Sequence, residues 1–283
     1  MRINHNISSM ITQGALYQVN TDMSKMLQQL STGLRINSAS DDAAGLGISE
    51  NLTTQVNGTA QANRNAQDGI AALNIAEGAA NEVSGILQRM RELAIQTSND
   101  TLTSTERAYS QQEYSALQSE IDRISNATNY NKQTLISSTS TMRFGTVGGG
   151  SILWVDANHT VGVDSITINI STLTTTTLGI AAAATNLTTQ TNSVTAISLI
   201  DTAIDSVNQM RGQLGAYVNR LQHAINNLNV ANTNQQAAES DIRDVDFAKA
   251  TSQYTRDQIL MQSATAMLAQ ANAVPQSVLQ LLK

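Results

Sequence analysis

Three histidines are the side chains of this sequence best suited to binding a metal or transferring protons. His5, His159 and His223 lie far apart, and none has another histidine at the spacing of a metal site. The chain has no cysteine, which excludes disulfides, thiolate metal sites and a cysteine nucleophile. No nucleophile elbow, Walker loop or zinc-protease motif occurs either. These patterns predict no metal and no cofactor.

Acidic residues next to arginines are the other candidates for chemistry. Asp41 and Asp42 follow Arg35 closely, and Asp244 comes directly after Arg243. A catalytic acid–base pair must be held in a pocket, whereas both groups lie where the helical period of the sequence is interrupted. We therefore interpret all five as hinge residues that form ion pairs, with no catalytic role.

The composition favours thin helical bundles over a thick globular core. Of 283 residues only 3% are aromatic and 13% charged, and there is one proline. Aromatic side chains supply much of the buried area of compact cores, so aliphatic residues must do so here. With one proline, helices can run long without interruption. The net charge of −6 argues against nucleic-acid binding, which usually needs a basic surface.

Each end of the chain carries an apolar stripe with the period of a helix. The C-terminal stripe alternates steps of four and three residues, which is typical of a coiled-coil seam, and the N-terminal stripe is looser. A single helix cannot bury such a stripe, so we predict that one face packs on the other terminal helix and another on a neighbouring copy. The predicted assembly seams are Ile7, Ile11, Ala15, Val19, Met23, Leu27 and Leu30, and Leu260, Ala264, Met267, Ala271, Val274, Val278 and Leu281.

Long helical patterns also fill most of the sequence between the ends. One runs from about Ser49 to Gln96, the next opens at the capping-box pair Thr103 and Glu106, and another covers residues 197–228. Breaks occur at residues 37–40 and 239–246. They predict an inner coiled-coil domain of residues 1–40 with 240–283, and a helical bundle of residues 41–140 with 194–239.

Residues 141–193 differ from the rest of the chain. Ile152–Val155 and Ser165–Ile170 alternate apolar and polar residues as short strands do, and threonine-rich stretches follow. The predicted fold is therefore mainly α, with long helices in coiled-coil bundles, a small β-hairpin in this insert, and paired N- and C-terminal segments. Residues 258–282 carry no charge, but their many glutamines argue against a membrane span.

Several segments of the sequence resemble bacterial flagellin. In the first half they are MRINHNIS, LSTGLRINSASDDAAGLGIS, RNAQDGI, LQRMRELAIQ and EIDRISNATNYN, and in the second half AESDIRDVDFAKA and QANAVPQSVLQLLK. The resemblance covers residues 1–140 and 195–283. Because the segment between them is short, the chain resembles a compact flagellin that has only the inner two domains and lacks large outer ones.

The resemblance implies a structural subunit that polymerises into the flagellar filament for swimming motility, outside the cell. A periplasmic filament is the less favoured location. The implied partners are further copies of the chain, the flagellar export apparatus, an export chaperone, and cap and junction proteins. Two alternatives stay open: a hook–filament junction protein, and a secreted enzyme built on a flagellin scaffold. The second would depend on His159, Asp156 and Asp164 in the insert.

The resemblance also implies roles for individual residues. Arg89, Leu93 and Glu113 match the surface through which flagellins contact an animal innate immune receptor and neighbouring subunits. The amides of Gln262, Gln276 and Gln280 are candidates for lining a central channel through which unfolded subunits are exported.

Overall fold

The computed structural model describes residues 5–137, 151–158, 160, 162–181 and 185–281. Five long helices dominate them: α1 (Ile7–Thr32), α2 (Ala43–Ser98), α3 (Ser104–Ala127), α4 (Gln190–Arg243) and α5 (Phe247–Leu281). Two antiparallel hairpins join β1 (Asn129–Tyr130) to β2 (Gln133–Thr134), and β3 (Ser151–Trp154) to β4 (Ser165–Ile168). The predicted fold class is confirmed, including the hairpin within the insert.

The chain divides into two compact units. The first, called the terminal unit below, comprises the described residues of Met1–Gln55 and Thr233–Lys283, and the second, the central unit, is Val56–Asn232. The sequence placed the domain boundaries nearer the ends of the chain, at residues 40 and 240. Helices α2 and α4 each contribute residues to both units.

The core of the central unit follows the predicted helical period. Helices α2, α3 and α4 bury their apolar stripes almost completely, and ion pairs between Arg91 and Asp201 (2.6 Å) and between Glu77 and Arg211 (3.1 Å) link α2 to α4. The buried members of the α2 stripe are Leu73, Ala76, Ala80, Val83, Leu87, Met90 and Ala94. An apolar stripe at steps of three and four residues is therefore enough to locate this core.

Helix α3 begins with the predicted capping box. The Thr103 hydroxyl accepts a hydrogen bond from the Glu106 amide (3.4 Å), and the Glu106 carboxylate accepts one from the Thr103 amide (2.7 Å). Polar side chains of α3 also hold part of the irregular segment before α4. Asp122 accepts hydrogen bonds from the Thr175 amide (2.9 Å) and hydroxyl (2.8 Å). These hydrogen bonds hold Thr175, in a part of the insert without regular secondary structure, against α3.

The β3–β4 hairpin packs on α2 where two glycines remove side-chain bulk. A Cβ atom on Gly58 would lie 2.6 Å from Cβ of Ala157 and 3.1 Å from its Cα, and one on Gly69 would lie 2.4 Å from the Leu153 side chain. Between these glycines the Asn65 amide donates a hydrogen bond to the Trp154 carbonyl (3.3 Å). The hairpin therefore requires glycine on this face of α2 for close approach of the backbones.

Gly58→Leu is expected to lower the free energy of unfolding of the central unit by about 1–3 kcal/mol, because the side chain forces the hairpin away from α2. Gly78→Leu is the matched control, since no atom lies within 4 Å of a Cβ built there. It should raise stability slightly through better helix propensity. Urea unfolding followed by the fluorescence of Trp154 measures both. Equal stability of the two variants would contradict this packing.

Candidate assembly interface

Helices α1 and α5 pair antiparallel along the terminal unit, as the sequence predicted for the two ends of the chain. At one end the Asn6 side-chain amide donates to the Ala271 carbonyl (2.8 Å). At the other, Leu34 and Asp244 form an antiparallel bridge, and the Val245 amide donates to the Gly33 carbonyl (3.0 Å). Contacts at both ends fix the register of the pair.

The face of α1 turned towards α5 includes only part of the predicted seam. Val19, Met23 and Leu30 are half-buried there, whereas Ile7, Ile11 and Leu27 are exposed. The half-buried positions of α1 repeat at steps of three and four, and they are Ser9, Thr12, Leu16, Val19, Met23, Met26 and Leu30. Leu16 and Met26 were missed because small polar residues occupy the seam at its N-terminal end and break the apolar pattern.

Only part of the predicted α5 seam lies on the face that packs on α1. Leu260, Met267 and Val274 are 45%, 61% and 46% exposed, whereas Ala264 and Ala271 are half-buried. The positions on the α1-facing side are Ala250, Tyr254, Asp257, Met261, Ala264, Leu268 and Ala271, of which Ala250 is buried and the rest half-buried. Apolar residues also stand directly before Met261 and Leu268, so two adjacent stripes share one period. The side chains of Val278 and Leu281 lie outside the described residues.

The pairing leaves large apolar side chains facing solvent on both helices. A monomeric protein rarely exposes many of them along one element, and a two-helix pair can bury only the sides that face each other. The exposed members are Ile7, Met10, Ile11, Tyr17 and Leu27 of α1 and Phe247, Ile259, Leu260, Met267 and Val274 of α5. We call these ten residues the exposed apolar set. It is the surface of the terminal unit best suited to contacts with further protein.

The turn between α1 and α2 depends on Asp41. Its carboxylate forms an ion pair with Lys25 (2.8 Å) and accepts hydrogen bonds from the amides of Asn37 (3.2 Å) and Ser38 (3.1 Å). The Lys25 contact, followed by the amide hydrogen bonds, lowers the pKa of Asp41 to about 2. The sequence predicted an ion pair at this hinge without assigning a partner to Asp41, and the partner in the structure is Lys25 of the preceding helix.

The other hinge residues make hydrogen bonds and ion pairs around the same turns. Asp42 accepts from the Gly45 amide (2.8 Å) at the start of α2, and the Arg35 guanidinium donates to the Ile242 carbonyl. Arg243 pairs with Glu50 (3.4 Å), and Asp244 accepts from the Ser240 hydroxyl (2.6 Å). Helix α4 continues to Arg243, so the break before α5 is shorter than predicted.

The three residues implied in receptor contact differ in exposure. The Arg89 guanidinium forms ion pairs with Glu113 (2.8 Å) and Glu92 (3.0 Å) on the surface, and these acids raise its pKa. Leu93 is only 2% exposed and belongs to the core of the central unit. A contact made by the Leu93 side chain is therefore contradicted, since it packs inward between the helices.

The structure describes only some of the remaining predicted site residues in the channel-lining set and in the insert. Gln262 is exposed on α5, whereas the side chains of Gln276 and Gln280 lie outside the described residues, as does His159. Asp164 is buried and accepts a hydrogen bond from the Thr160 amide (2.9 Å).

Within the described ranges no group of three His, Cys, Asp or Glu residues could hold a metal ion. In the same part of the chain no helix is both long and apolar enough to cross a membrane.

Comparison with known proteins identifies the family. Residues 3–141 match the bacterial flagellin N-terminal helical region and residues 197–282 match the bacterial flagellin C-terminal helical region. The chain belongs to the bacterial flagellin family. These two regions cover α1 to α3, most of α4, and α5, and the unmatched residues between them contain the β3–β4 hairpin. The chain is thus a compact flagellin without a large central domain.

Relatives align over their full length. A flagellin of Treponema pallidum is 42% identical over 290 residues, one of Halalkalibacterium halodurans is 44% identical over 283 residues, and one of Bacillus subtilis is 41% identical over 307 residues. Each alignment covers 100% of both chains. The crystal structure of Bacillus cereus flagellin superposes with a TM-score of 0.50 at 32% identity, covering 58% of this chain and 88% of that one. The protein is a structural subunit of the bacterial flagellar filament.

The low pKa of Asp41 predicts acid sensitivity of the terminal unit. Because its folded pKa lies below the ordinary value of 3.8, its contribution to stability is complete above about pH 4 and is lost as the pH falls towards 2. Asp41→Asn should therefore be less stable at neutral pH and lose less helix than the wild type between these values. Circular dichroism during acid titration measures this. Asp205→Asn, at an exposed site on α4, should keep the wild-type profile; identical titrations of all three proteins would contradict the role of Asp41.

Proposed function

We propose that the exposed apolar set is the surface through which copies of this flagellin polymerise. The observation that carries the proposal is the exposure of Ile7, Ile11 and Leu27 on α1 and of Leu260, Met267 and Val274 on α5, although α1 and α5 are paired. The predicted seam thus serves two purposes. Part of it packs on the partner helix, and the remainder is available to neighbouring subunits.

The energetics of apolar burial support this role. Removing one Leu, Ile or Met side chain from water contributes about 1.5–3 kcal/mol, so a few such contacts per subunit offset a large part of the entropy cost of association. Residues 258–282 carry no charge, so copies of α5 can approach one another without like-charge repulsion. Val278 and Leu281 extend the same pattern in the sequence and are proposed as further members.

We also propose a location and partners for the filament from membership of the flagellin family. Family membership supports a filament outside the cell, with a periplasmic filament as the alternative location, and handling by an export apparatus, an export chaperone, and cap and junction proteins. It supports a non-enzymatic role as well. We propose in addition that Gln262, Gln276 and Gln280 line a channel, since uncharged amides would not retain a passing chain of mixed charge. Arg35, Asp41, Asp42, Arg243 and Asp244 are proposed to set the geometry of the turns that flank the helix pair.

Leu260→Glu and, separately, Ile11→Glu should raise the protein concentration needed for polymerisation by about 100-fold or more. Each loses apolar burial and brings an unpaired charge into the contact. Leu260→Met, which keeps the apolar bulk, is the matched control and should polymerise like the wild type. Sedimentation and electron microscopy measure polymer, and circular dichroism checks that the free subunit keeps its helices. Filaments of Leu260→Glu at the wild-type concentration would contradict the proposal.

We also propose that exposed Arg89 and Glu113, without the Leu93 side chain, contribute to recognition by an innate immune receptor. Arg89→Asp is expected to lower activation by free subunits about tenfold or more, because it reverses the charge of an exposed anchor. Reporter cells that express the receptor measure the effect. Arg123→Asp, at an exposed arginine paired with Glu120 on α3, is the control. Equal loss of activation by Arg89→Asp and Arg123→Asp would contradict the proposal, because it would show that the net charge of the protein, and not the site of Arg89, causes the effect.

A further inference from the structure

Methionine is the only sulfur-containing residue type in this protein. The sequence has nine methionines and no cysteine. The structure separates them by exposure: Met90 and Met210 are 0% and 2% exposed in the central core, whereas Met10 and Met267 are 62% and 61% exposed. The two exposed thioethers lie on α1 and α5, within the surface proposed above to contact neighbouring subunits.

We propose that Met10 and Met267 are oxidation sites that decide whether a free subunit can join the polymer. The reactant is hydrogen peroxide or another small peroxide. The sulfur donates an electron pair to one peroxide oxygen, an S–O bond forms, and the O–O bond breaks. Water leaves when hydrogen peroxide is the oxidant. The thioether is oxidised to a sulfoxide by two electrons, and the peroxide is reduced by the same two electrons.

The position of each sulfur makes this change consequential. Met267 is seven residues from both Leu260 and Val274, so all three lie on one side of α5, and Met10 is seven residues from exposed Tyr17 on α1. A sulfoxide puts a strong hydrogen-bond acceptor in the middle of each stripe. Burying such an acceptor away from water costs free energy unless a protein group donates a hydrogen bond to it. The inference rests on the proposed function, because it requires that assembly desolvates these stripes.

The other described methionines differ in exposure, so their expected rates of oxidation can be compared with those of Met10 and Met267. Met23, Met26 and Met261 are half-buried between α1 and α5, and Met90 and Met210 are enclosed. Reaction with a peroxide requires contact with the sulfur, so the exposed pair should react first and the enclosed pair last. Limited oxidation therefore changes the assembly surface before it reaches the contact between α1 and α5.

The test treats the full-length free subunit with dilute hydrogen peroxide and locates the sulfoxides by mass spectrometry of its peptides. Of the methionines that the structure describes, Met10 and Met267 should be modified first. The concentration needed for seeded polymerisation should then rise about tenfold or more, in line with the loss of buried apolar surface. Methionine sulfoxide reductases should restore assembly. A variant with Met10→Leu and Met267→Leu keeps the apolar bulk and should polymerise normally after the same treatment.

Two results would overturn the inference. The first is normal polymerisation of subunits that carry both sulfoxides. The second is equal inhibition of the double leucine variant, which would assign the damage to other residues. Oxidation of assembled filaments tests the assembly surface separately: Met10 and Met267 should be protected there. If they react as fast in filaments as in free subunits, the proposed assembly surface is wrong.

Discussion

Two paired helices can bury only the sides that they turn towards each other. In the terminal unit this limit leaves apolar residues of α1 and α5 in solvent, and seam residues such as Met23 and Met261 only half-buried. The central unit has the same helical period but more layers, so its seam residues, such as Leu87 and Val207, are fully enclosed. The number of helices packed around each helix therefore determines how fully its apolar stripe is buried within one chain.

Much of the fold could be predicted from the sequence, because long periodic stripes give a strong signal. The α2 stripe, the capping box of α3 and the strands of the insert occur as predicted. Met261 and Leu268, on the α1-facing side of α5, were missed because each directly follows an apolar residue of the predicted seam, Leu260 and Met267. Periodicity alone does not say which member of such a pair faces the partner helix. Only the antiparallel register, fixed at Asn6 and Ala271, decides it.

The charged and small residues of the site were harder to predict than the apolar ones. Asp41 pairs with Lys25, and Arg243 pairs with Glu50, so neither partner is the nearby charge in the sequence. The need for glycine at residue 58 is evident only in the folded structure, where Ala157 of the hairpin occupies the space that a side chain would fill. Such contacts depend on the path of the chain, which local patterns do not encode. Leu93 was placed on the contact surface by the resemblance, whereas the structure buries it in the core of the central unit, next to Ala94 of the predicted α2 stripe.

The sequence separation of the α1–α5 contacts has a consequence for how their surface forms. Asn6 and Ala271 are separated by 265 positions, so their contact closes a very long loop. Contacts of such high sequence separation form late, because the entropy of loop closure must be offset by other structure first. A chain that lacks residues 247–281 has no partner for α1 and therefore none of the two-helix surface. The exposed apolar set is thus a property of the folded pair, since neither end of the chain can form it alone.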